Sequence, residues 1–158
     1  MNWIADTGIK WDLAASWIIP DAMRNAQRGW DDIWLEKQMR LYFNKLDRRL
    51  LRSRHRRYSQ RIPRFITLEN STGVGWHAHG LLATPEHINQ DIMIGAVKEL
   101  WLEHVADYQS RLSPIRLAWC QPVTSGYLWY STKHSFGSFQ ANTGSIDSFN
   151  TYLPPAPH

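Results

Sequence analysis

The sequence predicts an α+β fold: a central antiparallel sheet with flanking helices. Three observations carry that expectation. Residues 64–83 contain two strand-like runs, "RFITLEN" and "GWHAHGLLA", joined by the short turn signal "STG". Residues 32–52 repeat apolar side chains at steps of three and four. Strand-like and helix-like segments then alternate with short connections, so each sheet face needs a helical partner.

Each element follows from its own residues. "WDLAASWII", residues 11–19, is β-leaning and is expected as the first strand. Asp31 and Asp32 can cap the next helix and complement its dipole. Leu35, Met39, Tyr42, Phe43, Leu46 and Leu50 form its apolar stripe over about five turns, with Arg40, Arg48 and Arg52 off the stripe. "RSRHRRYSQRIP" reads as a basic connection closed by Pro63. After the hairpin, Thr84 and Pro85 break the strand. A second helix is expected from about Asn89 to Tyr108, with Met93, Val97, Leu100 and Trp101 on one side. "IRLAWCQ" alternates as a strand, and "TSGYLWYSTKHSF" reads as a short helix capped by Thr124 or Ser125. Residues 1–137 are expected to be one domain. Residues 138–158, rich in Gly, Ser, Asn and Pro, are expected to be a tail on its surface or extending from it.

Composition narrows the function classes. The chain has 158 residues, enough for one sizeable core. Its single cysteine, Cys120, forbids an internal disulfide and fits a reducing compartment. No run approaches a membrane span, and the first residues lack the order of a signal peptide, so a cytoplasmic location is expected. Charge is unevenly placed. Residues 40–64 hold ten of the eighteen Lys and Arg but one acid, Asp47, for a local charge of +9 in a chain of net +4. Such a block attracts a polyanion, and nucleic acid is the natural partner. Arg48, Arg49, Arg52, Arg54, Arg56, Arg57, Arg61 and Arg64 are its candidate DNA contacts. The competing reading is a solvated helix face.

The hairpin carries the candidate chemistry. His77 and His79 are two apart, so on a strand both point to one face, while Trp76, Ala78 and Leu82 point to the other. If paired residue numbers sum to 146, Glu69 lies opposite His77 and Thr67 opposite His79; if they sum to 148, Glu69 lies opposite His79. Either register puts Glu69 with both histidines, and a slip of one residue would separate them. Two imidazoles and a carboxylate suit Mg²⁺, Mn²⁺ or a later transition metal. The alternative is that Glu69 only ends a strand. On a helix, Tyr130 and Lys133 would be neighbours at i and i+3. A tyrosine attacks a phosphodiester when its proton is lost and the phosphate charge is countered.

Together these pieces resemble the HUH superfamily of single-strand DNA nicking enzymes, named for His-hydrophobic-His, here His77-Ala78-His79. The order of motifs is most similar to rolling-circle replication initiators (Rep) of plasmids, phages or small single-stranded DNA viruses. That group places an acid on the preceding strand, matched by Glu69, and Tyr-x-x-Lys on a later helix, matched by Tyr130 to Lys133. By order, "LAASWII" matches the first motif. The resemblance implies an HUH nuclease fold, a divalent metal (Mg²⁺ or Mn²⁺) on Glu69, His77 and His79, and Tyr130 as nucleophile. It implies a 5′-phosphotyrosine intermediate, with Lys133 neutralising the phosphate, in an enzyme that nicks and rejoins single-stranded DNA at an origin or hairpin as a monomer or weak dimer. Tyr127 is expected to support or stack, and His134 to be a surface residue. The alternatives are a small HUH tyrosine transposase of the insertion-sequence type and a non-catalytic nucleic-acid-binding module. A histidine-triad hydrolase is disfavoured, because "HAHGLL" lacks its third histidine.

Overall fold

Apolar periodicity builds the covered side of the sheet. In the computed structural model, which describes residues 7–26, 31–123 and 145–154, the strands are β1 (Leu13–Ile18), β2 (Arg64–Ser71), β3 (Gly75–Leu82), β4 (Ala118–Pro122) and β5 (Ser145–Ile146). The helices are α1 (Asp21–Ala26), α2 (Asp32–Leu51), α3 (Ser53–Tyr58), α4 (Gln90–His104) and α5 (Pro114–Leu117). The sheet is antiparallel throughout, in the order β4-β1-β3-β2-β5. The α+β class and the central hairpin are therefore as expected. Among the described residues no helix is long and apolar enough to cross a membrane.

One parity of each strand meets the helices. Leu13, Ala15 and Trp17 of β1, Ile66 and Leu68 of β2, and Ala78 and Leu82 of β3 join one core with Leu35, Met39, Tyr42, Phe43 and Leu46 of α2 and Met93, Val97 and Trp101 of α4. Asp31 caps α2 by accepting from the Trp34 amide at 2.9 Å. The Tyr42 hydroxyl donates to the Val97 carbonyl at 2.9 Å and so ties α2 to α4. Gly80 is required by a close approach. A Cβ there would stand 2.7 Å from Ile66 Cδ1 and 3.0 Å from Trp17 Cζ3.

Four elements differ from expectation. The basic connection is partly helical, because α3 restarts after Arg52, whose φ of 48° and ψ of −114° break the ladder of α2. Pro114 opens a helical turn, so the strand expected over "IRLAWCQ" begins only at Ala118. The second helix ends at His104. The segment expected as a surface tail contributes β5 to the sheet, and it buries Asp147 and Asn150. The Asn150 amide donates to the Glu36 carbonyl at 2.9 Å, and Tyr152 and Arg64 exchange backbone bonds of 2.8 and 3.0 Å. The tail thus satisfies the otherwise open edge of β2.

Candidate metal centre and basic clefts

Strand parity sends Glu69, His77 and His79 to the face that α2 and α4 do not cover. The register pairs Glu69 with His77 and Thr67 with His79, the 146 alternative. On the other side of β3, Ile18 lies opposite His77 and Ser16 opposite His79. Two hydroxyl residues therefore flank His79 across the sheet, a feature that needs the β1 register and so escaped the sequence. Further along the same face, Trp11, Phe65, Leu81 and Ala83 form a second apolar cluster.

The turn fixes the imidazoles. Gly73 and Gly75 adopt φ of 85° and 74°, conformations that side chains disfavour. The Gly75 carbonyl accepts from His77 Nδ1 at 2.9 Å, which places the proton on Nδ1 and leaves the Nε2 lone pair for a ligand. The two rings stand 4.8 Å apart, nearly perpendicular at 82°. Glu69 Oε2 lies 3.7 Å from His77 Nε2 and 3.6 Å from His79 Nε2. These separations are too long for hydrogen bonds. Donors about 2.1 Å from a shared ion, subtending 90–120°, lie about 3.0–3.6 Å apart; the two Glu69–Nε2 spacings are near the wide end of that range, and all three donor atoms lie within 4.8 Å of one another. The three residues can hold a metal ion. They form the only such group of three or more His, Cys, Asp or Glu among the described residues. Side-chain exposures of 15%, 9% and 15% for Glu69, His77 and His79 make the cluster sheltered.

The basic block does not adjoin this site. Arg48, Arg52, Arg56 and Arg61 line one cleft of about 810 Å³ with His55 and Ser59. Among the described residues no carboxylate lines it. The cleft sits where α2 gives way to α3, before the start of β2. Arg64 and Glu69 are five residues apart on β2, about 16 Å at strand rise. Arg49 is engaged across the helices with Glu99 at 2.9 Å and Glu103 at 3.8 Å. Arg54 lies 3.3 Å from His87 Nδ1, and Arg57 is exposed outside the cleft.

Arg64 requires a correction. It is 1% exposed and therefore not a DNA contact. Its guanidinium donates to Asp47 at 2.9 and 3.0 Å and to the Asn150 carbonyl at 2.9 Å, and it lies over the Phe43 ring at 4.5 Å. Burial lowers its pKa and Asp47 opposes the shift. The even parity that puts Ile66 in the core puts Arg64 there too.

Tyr130 and Lys133, with Tyr127 and His134, lie outside the described residues. The described ends on either side, Val123 and Ser145, follow and begin strands at opposite edges of the sheet. No protein family matches the chain, and no curated protein is similar to it. Fold and site together define an antiparallel α+β domain with a Glu–His–His group able to hold a metal ion.

Proposed function

We propose that this chain is a metal-dependent single-stranded DNA nicking and joining endonuclease of the HUH type, one that initiates rolling-circle replication. One observation carries the reading most: the hairpin register that joins Glu69 to both histidines of the H-x-H strand, Nε2 atoms inward, on a sheltered face. Among the described residues this is the one group of three or more His, Cys, Asp or Glu able to hold a metal ion, which supports a metal-dependent reading. The Tyr-x-x-Lys at residues 130–133, later in the chain than the histidines, supports the initiator order.

The chemistry assigned to each residue is specific. Glu69, His77 and His79 would hold Mg²⁺ or Mn²⁺, which when bound polarises a phosphodiester and neutralises developing charge. The Tyr130 oxygen attacks phosphorus. The Tyr130 O–P bond forms, the P–O3′ bond breaks, and the departing 3′ oxygen takes up a proton. The 5′-phosphotyrosine retains the bond energy, so a 3′-hydroxyl can reverse the step. Lys133 holds the phosphate charge. The 21 residues between Val123 and Ser145 can extend over about 70 Å, whereas the sheet they must pass is four strand spacings wide, about 19 Å. Tyr130 itself stands seven residues beyond Val123, about 23 Å at full extension, against two strand spacings, about 10 Å, from β4 to β3. The cleft of Arg48, Arg52, Arg56 and Arg61 would hold phosphates of a more distant segment.

Incubation with a pool of single-stranded oligonucleotides and Mn²⁺, followed by mass spectrometry, tests this. The expected product is a 5′-linked nucleotide on Tyr130, absent in Tyr130→Phe and His77→Ala, retained in Tyr127→Phe and slowed in Lys133→Ala. An adduct on Tyr127, or binding with no adduct at all, would overturn the reading. The second outcome would leave a nucleic-acid-binding module.

A further inference from the structure

We propose that a second basic cleft, at the metal end of the sheet, grips the nucleic-acid backbone next to the bond the Glu69–His77–His79 site addresses; this rests on the nuclease reading. The cleft measures about 570 Å³ and lies between α1, the β2–β3 turn and the segment leading into α5. Its lining includes Asp21, Arg24, Thr72, Val74, Arg111 and Arg116. None of its arginines belongs to the dense block of residues 40–64.

Position is the first argument. Thr72 follows Glu69 by three residues and Val74 precedes His77 by three. At strand rise that is about 10 Å, or about three stacked nucleotides at 3.4 Å each. The block's cleft lies beyond the opposite end of β2. A strand seated at the metal group thus meets this turn cleft first.

Charge and rigidity are the second argument. Among the described residues of the lining three arginines stand against one acid, Asp21, and that acid is already engaged by Arg24. Arg24 also donates to the Val74 carbonyl at 2.6 Å and pins α1 to the hairpin turn. Arg111 and Arg116 are exposed, and among the described residues neither pairs with a carboxylate. Their backbone is held. The Ala22 amide bonds the Gln109 carbonyl at 3.2 Å, and the Arg116 amide bonds the Ser113 carbonyl at 2.9 Å. Leu112 N donates to Ser110 Oγ at 3.1 Å. Two exposed guanidiniums that pair with no carboxylate among the described residues suit successive phosphates, because each can donate two parallel bonds to one phosphate. Thr72 adds a hydroxyl to the same wall. Arg24 is the positioning residue; Arg111 and Arg116 are the contacts.

Binding of a 25-nucleotide single strand without metal, followed by anisotropy across a salt series, tests the proposal. Arg111→Gln/Arg116→Gln should make the slope of log K against log salt shallower by about 1.4, two phosphates at about 0.7 each, and weaken binding roughly tenfold near 0.15 M salt. Arg111→Lys/Arg116→Lys should restore most of the slope. Lys37→Gln, on the exposed side of α2 and outside the dense block, should leave it unchanged. An unchanged slope in the glutamine pair, or an equal loss in the α2 control, would overturn the cleft. Thermal melts of every variant exclude misfolding as the cause. The nuclease reading fails separately: if the wild type binds through Arg111 and Arg116 but never forms a Mn²⁺-dependent adduct, the cleft stands and the chemistry does not.

Discussion

Arg64 and Glu69 stand on one strand, five residues apart, and meet opposite fates. Arg64 faces α2, is sealed against Asp47 and Phe43, and is 1% exposed. Glu69 faces away from the helices, beside two imidazoles, and is 15% exposed. An odd separation on a strand reverses the face. A buried charge with a full set of partners is structural, whereas a sheltered carboxylate 3.6–3.7 Å from two imidazoles belongs to a group that can hold a metal ion. The comparison teaches that charge in a sequence says little until parity and partner are known.

The largest effect should come from breaking the sealed pair. Arg64→Met leaves Asp47 buried and uncompensated, and should cost about 3–5 kcal/mol. Urea unfolding would check this; a loss below about 1 kcal/mol would mean that the pair is not sealed. Next comes ion binding at the open trio. Mn²⁺ at ~100 times its Kd should stabilise the wild type by about 2.7 kcal/mol. His77→Ala should lose that gain while keeping the ion-free stability nearly unchanged. Thermal melts with and without Mn²⁺ separate the two quantities, and equal gains in both proteins would remove the metal centre.

Gly80→Ala probes the covered face directly beside the site. The added methyl must displace Ile66 and Trp17, so a loss of about 1–3 kcal/mol is expected, readable in the same urea titration. The smallest effect concerns His104, the last residue of α4. Burial, and secondarily Lys45, lower its pKa from 6.5, and the ring stacks on Trp101. The folded imidazole resists a proton that the unfolded one accepts. The stability linked to it is therefore present above pH 6.5 and is lost as pH falls below that value. His104→Gln should flatten stability against pH in that window. An unaltered acid limb would assign the loss to other groups.

Local pattern alone determined much of this protein. The stripe from Leu35 to Leu46 and the Asp31 cap mark α2 to within a residue of its observed ends, because helix period and capping are properties of adjacent residues. The hairpin and its parity follow from a short turn between two alternating runs, so the Glu69–His77–His79 trio was legible before any coordinates. Tertiary structure decided the rest. Whether Arg64 was surface or core depended on Asp47, seventeen residues away, and on Asn150, eighty-six away. The β5 edge strand has no period of its own and exists because β2 offers unpaired backbone groups. The cleft of Arg24, Arg111 and Arg116 gathers charges scattered over nearly a hundred residues. Composition weighs charge by neighbours along the chain, whereas a phosphate meets neighbours in space. For that reason the densest basic block lies toward the far end of β2 from the metal group, and three scattered arginines line a cleft at the β2–β3 turn.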